Sequence, residues 1–389
     1  MSNATQPIEP SIEPFRIAIP DADLIELRQR LARVRLAPGL QEQGWHQGVN
    51  PGFLYGLLDY WARDFDWRTQ EARLNALPQY LAQLKGRTIH FVHQPGKGPA
   101  PLPLVLTHGW PGSFIEFEKL IPLLADPGAH GADPADAFHV VVPSLPGYAF
   151  SPSDGHKGTG TYETAALWAA LMTQLGYERF GAQGGDLGSN LSSWLGIRFP
   201  ERLIGMHLNY IPTSYQPPLG DGQPPLTPEE QAWKKRQDAW KEEEGAYRRM
   251  HATKPYTAAA GLNDSPAGLA AWIAEKFHAW SDDFDKSISL DTLLTDISLY
   301  WFTQTIFSSF QMYVEDSARP VKPEGRVQPP IGVAAFPSEI PMPPRSWAER
   351  CFDVRRWTEM PAGGHFAALE QPQRLAEEIR AFFRPLREA

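Results

Sequence analysis

In the stretch GAQGGDLGSN, residues 181–190, Gly184, Asp186 and Gly188 keep the spacing of a Gly-x-Ser-x-Gly turn, but the central place holds a carboxylate. Turns of that pattern present a nucleophile between a strand and a helix. Small neighbours let the backbone bend and a reactant approach, and the N–H groups that open the following helix favour negative charge. Asp186 suits two jobs: a nucleophile, or an N-cap for its own helix. What a carboxylate adds over a serine is chemical. It opens a strained ether at carbon and becomes an ester, whose carbonyl water then attacks. A serine would form an ether, which activated water does not readily cleave.

Two more stretches carry complementary groups. THGWPGS, residues 107–113, ends an apolar run where a sheet of this kind supplies half of an oxyanion hole, with the backbone N–H groups of Trp110 and Leu187 as donors. The alternative is a plain turn of Gly109, Pro111 and Gly112 with His108 and Trp110 packing. MPAGGHFAALEQP, residues 360–372, sets His365 on a glycine loop beyond a strand-like segment. Alone, such a histidine is structural. In the chain order Asp186, acid, His365 it is a general base. Candidate acids are Glu339 in GVAAFPSEIP, Asp353 in FDV, and Glu315 and Asp316 in YVEDS. Glu339 is preferred, because a carboxylate just past a strand end reaches a histidine loop at the same sheet edge; a solvated loop charge is the other reading.

The elements that must hold these groups follow from periodicity. TIHFVHQ alternates like a strand; LPLVLTHG, FHVVVPSLPG and ERFGAQGGD are short apolar runs ending in turns, as buried parallel strands do. SNLSSWLGIRF reads as a helix and LIGMHLNY as the next strand, so strands and helices alternate around a mostly parallel sheet. Before them, DADLIELRQRLARVRLAP predicts a helix with Leu24, Leu27, Leu31 and Val34 on one face, Asp21 as cap and Pro38 as its end. FLYGLLDYWARDFDW and RLNALPQYLAQL read as two more helices. A proline-rich joint, PTSYQPPLGDGQPPLTPEE, leads to helices through about residue 312; strands return at IGVAAFP and FDVRRW, and QPQRLAEEIRAFFRPL closes the chain as a helix. The expected division is an N-terminal helical meander (1–86), a first core segment (87–211), a helical cap (212–314) and a second core segment (315–389).

Composition narrows the partners. The chain has 389 residues, with 42% hydrophobic and 21% charged, an ordinary globular balance. A net charge of -9, with no basic patch to neutralise phosphates, argues against a nucleic-acid partner. One cysteine, Cys351, excludes an intrachain disulfide and reads as a buried small apolar residue. The first residues lack a basic and apolar leader, and no run reaches the ~18 apolar residues of a membrane helix. The expectation is a cytoplasmic protein with no membrane anchor. The histidines show no His-Glu-x-x-His pattern, so no metal is expected, nor any cofactor.

Taken together, HGWPGS, GGDLGS, ATKPYT with GLNDSPAGLAAWIAEKF, LYWFTQTIFSSFQMYVED, GVAAFPSEI and GGHFAALEQP resemble the epoxide hydrolases of the microsomal and juvenile-hormone type, over nearly the whole chain. The resemblance implies an α/β-hydrolase core with an inserted helical cap and an N-terminal meander around both. It implies Asp186 as nucleophile, His365 as base and Glu339 as the acid that orients it. It also implies two cap tyrosines, Tyr313 in QMYVED and Tyr247 in GAYRRMHATKP, as ring-opening acids, with Tyr300 as the alternative second acid. Membrane-bound members begin with an apolar anchor helix, whereas this chain begins with a polar, proline-containing tail. The expected reaction converts an apolar xenobiotic or lipid-like epoxide to a diol, with only the small-molecule epoxide and water as partners. Two rivals remain: a haloalkane dehalogenase, which typically needs a tryptophan after the nucleophile where Leu187 stands here, and a non-catalytic binding module of the same fold. Trp110, Phe150, Trp301 and Phe302 are candidates either for an apolar pocket or for core.

Overall fold

The computed structural model describes residues 11–38, 44–153, 159–211, 217, 219–220, 222–318 and 326–387. The N-terminal tail up to residue 10 and much of the proline-rich joint, residues 212–216, 218 and 221, lie outside the described residues.

The N-terminal segment contains β1 (Ile12–Phe15), α1 (Asp21–Leu31), α2 (Pro51–Arg63), α3 (Trp67–Leu74) and β2 (Gln79–Leu84). The expected helices are present, but two strands accompany them. RLNALPQYLAQL is a helix end followed by a strand. Asn75 stops α3 by exchanging hydrogen bonds with the backbone of Ile17, at 2.8 and 2.9 Å. Beyond it, Lys85 and Gly86 both take positive φ, 50° and 79°, which is the two-residue turn that matches strand twist. β2 therefore folds back on β3 (Arg87–Gln94) as a hairpin. Asp21 does not cap α1; Pro20 holds that place, and the Asp21 carboxylate binds Arg68 instead. α1 also ends at Leu31, before Pro38, where Arg33 and Val34 tighten the last turn through bonds to Arg30 and Leu31.

The central alternation is as expected: β4 (Leu102–Thr107), α4 (Leu120–Ala125), β5 (Phe138–Pro143), α5 (Thr161–Gln174), β6 (Phe180–Gly184), α6 (Asp186–Arg198) and β7 (Leu203–Leu208). Among the described residues seven helices follow: α7 (Pro228–Glu244), α8 (Ala246–Thr253), α9 (Pro255–Asp264), α10 (Pro266–Trp280), α11 (Phe284–Ser287), α12 (Leu290–Thr303) and α13 (Ile306–Ala318). Thr227 and Glu230 start α7 with a reciprocal capping box. The apolar run through α12 and α13 is broken at Gln304, whose φ of 53° turns the chain, and α13 continues past residue 314 to Ala318. The chain then returns as β8 (Val327–Ala335), α14 (Arg345–Glu349), β9 (Phe352–Glu359), α15 (Ala367–Glu370) and α16 (Pro372–Phe383).

The nine strands of the described residues form one sheet in the order β1-β2-β3-β5-β4-β6-β7-β8-β9. The pairs from β1 through β3 to β5 are antiparallel, and those from β5 to β9 are parallel. Side chains of β4, β5 and β6 are almost wholly buried, because helices cover both faces. The C-terminal ends of β4, β6 and β8 open on one edge, and the loops at 107–113, 185–187 and 336–340 leave from there. Cys351 is free and buried, and burial pushes its thiol up to about 12. Among the described residues no helix is long and apolar enough to cross a membrane.

Candidate active site

Asp186 stands where β6 meets α6, with φ at 44°. Non-glycine residues rarely adopt that left-handed conformation. The neighbours explain why the turn fits. A Cβ on Gly188 would lie 2.0 Å from the Thr107 carbonyl oxygen, so only glycine lets α6 pass the end of β4. Asp186 does not cap its helix: the N-cap is Gly185, with no side-chain cap bond. Its carboxylate instead points across the sheet edge. Oδ1 accepts the Trp110 backbone N–H at 2.9 Å, and the Leu187 N–H lies near enough to favour the charged carboxylate. Of the two expected oxyanion donors, Trp110 thus already holds a carboxylate oxygen.

Oδ2 faces His365, with Nε2 at 3.6 Å. On the other side of the ring, His365 Nδ1 meets Glu339 Oε1 at 2.5 Å, and the same oxygen accepts the Ile340 N–H at 2.8 Å. A bridge between Ser338 and Gly364 lays the two loops side by side. Of the four candidate acids, Glu339 is therefore the one brought to His365. Asp353 pairs with Arg355, Asp316 binds the backbone and hydroxyl of Thr161, and Glu315 sits beside it on α13.

The charges are coupled. Burial works to raise the Asp186 carboxyl, but His365 and the two N–H donors outweigh it and hold it below the usual carboxylate range. Burial works to lower the His365 imidazole, and the facing Glu339 and Asp186 outweigh that and raise it well above its ordinary value. Burial pushes the Glu339 carboxyl up, against the pull of His365. Glu339, His365 and Asp186 are thus linked in series across three loops.

Opposite Asp186 lie two phenols. Tyr247 on α8 stacks on Trp110, with ring centroids 5.1 Å apart and planes at 13°. Tyr313 on α13 meets Tyr247 edge-on, with ring centroids 6.2 Å apart. Burial first, then Asp186, raises Tyr247, and burial, then Tyr247 and Asp186, raise Tyr313, so each hydroxyl keeps its proton and can donate it. Tyr300 is committed elsewhere, donating to the Gly112 carbonyl at 3.0 Å.

Of the four aromatics considered for a pocket, only Trp110 lies here. Phe150 packs against Phe15, His90 and Phe114; Phe302 meets Trp67; and Trp301 lies under Arg30. His108 is structural. Its Nε2 accepts the Leu145 N–H at 3.1 Å, Nδ1 lies 3.1 Å from the Gly109 carbonyl, and burial pushes the ring down to about 4.

Sequence reasoning missed Glu116. With Asp186, Asn209 and His365 it lines a cavity of about 20 Å³, on the scale that holds one water. Burial and the nearby Asp296 raise its carboxyl well above the ordinary value. The available signal was a single acid inside the apolar run SFIEF. Glu370 was also missed; burial pushes it up to about 7, against three backbone N–H donors.

A carboxylate at the strand–helix turn, two N–H donors, an acid–imidazole pair past later strands and a helical cap define an α/β hydrolase of the aspartate type. Residues 103–252 match the model described as alpha/beta hydrolase fold, and residues 12–117 match that described as Epoxide hydrolase N terminus. A putative epoxide hydrolase of Stigmatella aurantiaca is 44% identical over 97% of this chain and 86% of its own length. The structure of Aspergillus niger epoxide hydrolase superposes with a TM-score of 0.85 at 33% identity, covering 97% of each chain. That of the juvenile hormone epoxide hydrolase of the silkworm Bombyx mori gives 0.86 at 29%, covering 98% of this chain and 96% of the other. The chain belongs to the epoxide hydrolase family.

Proposed function

We propose that this protein opens an epoxide on Asp186 and hydrolyses the resulting ester to a vicinal diol. The carrying observation is the division of labour at the Asp186 carboxylate. Oδ1 is held by the Trp110 N–H, while Oδ2 faces His365 at 3.6 Å, so Oδ2 is the oxygen free to attack carbon. In the first step Tyr247 and Tyr313 hydrogen-bond the epoxide oxygen and supply the proton that the departing alkoxide needs. Positioned proton donors contribute on the order of 10²–10⁴ in rate. In the second step His365 Nε2 takes a proton from water, and the hydroxide attacks Cγ of Asp186. Negative charge then grows on Oδ1, where the Trp110 N–H already points, with the Leu187 N–H as the second donor; one such donor contributes about 2.7–4 kcal/mol. Glu339 holds the imidazole tautomer and stabilises its cation. Collapse releases the diol and restores the carboxylate.

The residues facing the reaction are aromatic, which favours an apolar epoxide. Leu187 provides no ring N–H for a halide, so the dehalogenase reading gains nothing. We further place the enzyme in the cytoplasm, since its free, buried Cys351 needs no oxidising compartment. The mechanism is tested by a single turnover in ¹⁸O-labelled water with enzyme in excess. The first diol should carry unlabelled oxygen from Asp186, and the label should appear in the Asp186 peptide. A labelled first diol contradicts the ester.

A further inference from the structure

We infer that Asp282 and Glu370 form a reciprocal clamp that positions His365 from the cap; the inference rests on the ester mechanism above. The cap leaves α10 at Trp280 and crosses the His365 loop within hydrogen-bond distance. Four consecutive backbone N–H groups of that loop are fastened, alternately to the cap and to Glu370 at the end of α15. Gly363 donates to Asp282 Oδ2 at 2.9 Å, Gly364 to Glu370 Oε2 at 3.1 Å, His365 to the Trp280 carbonyl at 2.9 Å, and Phe366 to Glu370 Oε1 at 3.1 Å. In return the cap's own Asp282 N–H donates to Glu370 Oε2 at 2.8 Å. Each carboxylate thus reaches across the joint to hold the other's backbone.

The clamp also holds the acid. The Ser338 hydroxyl donates to Asp282 Oδ1 at 2.5 Å, and the Ser338 N–H donates to the Gly363 carbonyl at 3.1 Å. Ser338 directly precedes Glu339. One cap carboxylate therefore ties the residue before the acid to the loop that carries the base. The approach is too close for any side chain at the crossing: a Cβ on Gly364 would stand 2.6 Å from the Trp280 carbonyl oxygen and 2.8 Å from the Asp282 nitrogen. Accepting the Ser338 and Gly363 donors holds the Asp282 carboxyl below its ordinary value, as the charged acceptor the arrangement needs.

The two chemical steps place different demands on this clamp. Ester formation needs Asp186 and the phenols, which stand on other elements. Ester hydrolysis needs the imidazole aimed at a water beside Asp186, and small misplacements there are costly. Asp282 and Glu370 touch no reacting atom; they act through His365 and Glu339.

The test is pre-steady-state kinetics with styrene oxide, reading ester formation and ester hydrolysis separately by quenched intact mass. Asp282→Ala should leave ester formation within about twofold of the unaltered protein and slow hydrolysis on the order of 10–10²-fold, so that the Asp186 ester accumulates. Asp282→Asn should restore most of the hydrolysis rate, since its carbonyl accepts from Gly363 and its amide donates to the Ser338 hydroxyl. Ser338→Ala, a milder change for use if Asp282→Ala does not fold, should slow hydrolysis a few-fold and spare ester formation. An equal fall in both steps, unchanged hydrolysis in Asp282→Ala or Ser338→Ala, or an Asn variant as impaired as the Ala variant overturns the clamp. The absence of any ester in both the unaltered protein and His365→Gln overturns the mechanism and the clamp together. An ester that forms normally and is hydrolysed at the unaltered rate in Asp282→Ala overturns the clamp alone.

Discussion

The two oxygens of Asp186 have unlike neighbours, and this gives His365 a different acidity in each half of the cycle. In the free protein burial pushes the imidazole down, while Glu339 and Asp186 push it up and prevail. Esterification removes the charge of Asp186 and leaves Glu339 as the nearest carboxylate, so the imidazole pKa falls when the ester forms. The base becomes easier to keep neutral at the stage when it must accept a proton. The acid limb of ester hydrolysis should therefore lie at lower pH than the titration of His365 in the free protein. Single-turnover hydrolysis across pH, set against imidazole NMR of the free protein, checks this; coincident midpoints, or the reverse order, contradict it. His365→Gln removes the base while sparing the attacking carboxylate. It should slow hydrolysis on the order of 10²-fold or more, and intact mass should show the substrate adduct on the Asp186 peptide. The phenols belong to the other half. Tyr313→Phe and Tyr247→Phe should each lower the ester-formation rate by at least about tenfold, with no adduct accumulating. A Phe variant that slows only hydrolysis would remove the phenols from the first step.

At the scale of elements, the pieces of the site on the sheet edge were readable because buried parallel strands are apolar runs closed by glycine or proline turns. LPLVLTHG, ERFGAQGGD and GVAAFPSEIP announce both the strand and the loop beyond it. The N-terminal hairpin was not readable in the same way. QYLAQL has no β-branched residue and spaces its apolar side chains as a helix would, so only Lys85 and Gly86 mark the turn. Glu339 was preferred among four acids from its place past a strand end, but the contact itself depends on the bridge between Ser338 and Gly364, which leaves no periodic trace. The tyrosines came from family resemblance alone. They lie on separate helices, α8 and α13, whose faces meet through packing against each other and against Trp110, a contact that leaves no mark in the spacing of either helix. Glu116 and Glu370 resemble ordinary loop or helix acids until burial is known. The elbow itself yields an element-scale prediction. Gly188→Ala places a Cβ 2.0 Å from the Thr107 carbonyl oxygen, in the backbone contact between α6 and β4. Such overpacking costs about 1–3 kcal/mol and shifts the backbone. Denaturant unfolding should show that loss, and ester formation should fall with it because the Asp186 carboxylate leaves its N–H donors. An Ala variant with unaltered stability and rate would mean that the turn tolerates more displacement than its geometry allows.

For the molecule as a whole, the N-terminal segment is part of the same body as the sheet and cap. β1 and β2 extend the sheet beyond β3. α2 reaches the cap through the Tyr60 hydroxyl, which donates to Asp291 at 2.9 Å. α3 reaches the core through Arg73 and Glu118, paired at 2.7 Å, and the cap through Trp67, which packs edge-on against Phe302. Leu54, Leu57, Leu58, Trp61, Trp67 and Leu74 are buried in the same apolar cluster as the central strands. Each buried side chain of this size contributes about 1.5–3 kcal/mol, and the net stability of a folded domain is only ~5–15 kcal/mol. A chain starting at Arg87 would lose all six and expose the N–H and C=O groups of β3 as a free edge, an invitation to aggregation. It should therefore fail to give a cooperatively folded monomer, rather than give a folded enzyme of lower activity. Size-exclusion chromatography with thermal unfolding distinguishes these outcomes. A monomer with a sharp transition and measurable epoxide turnover would show that the segment is an appendage, and that the sheet and cap hold His365 over Asp186 without it.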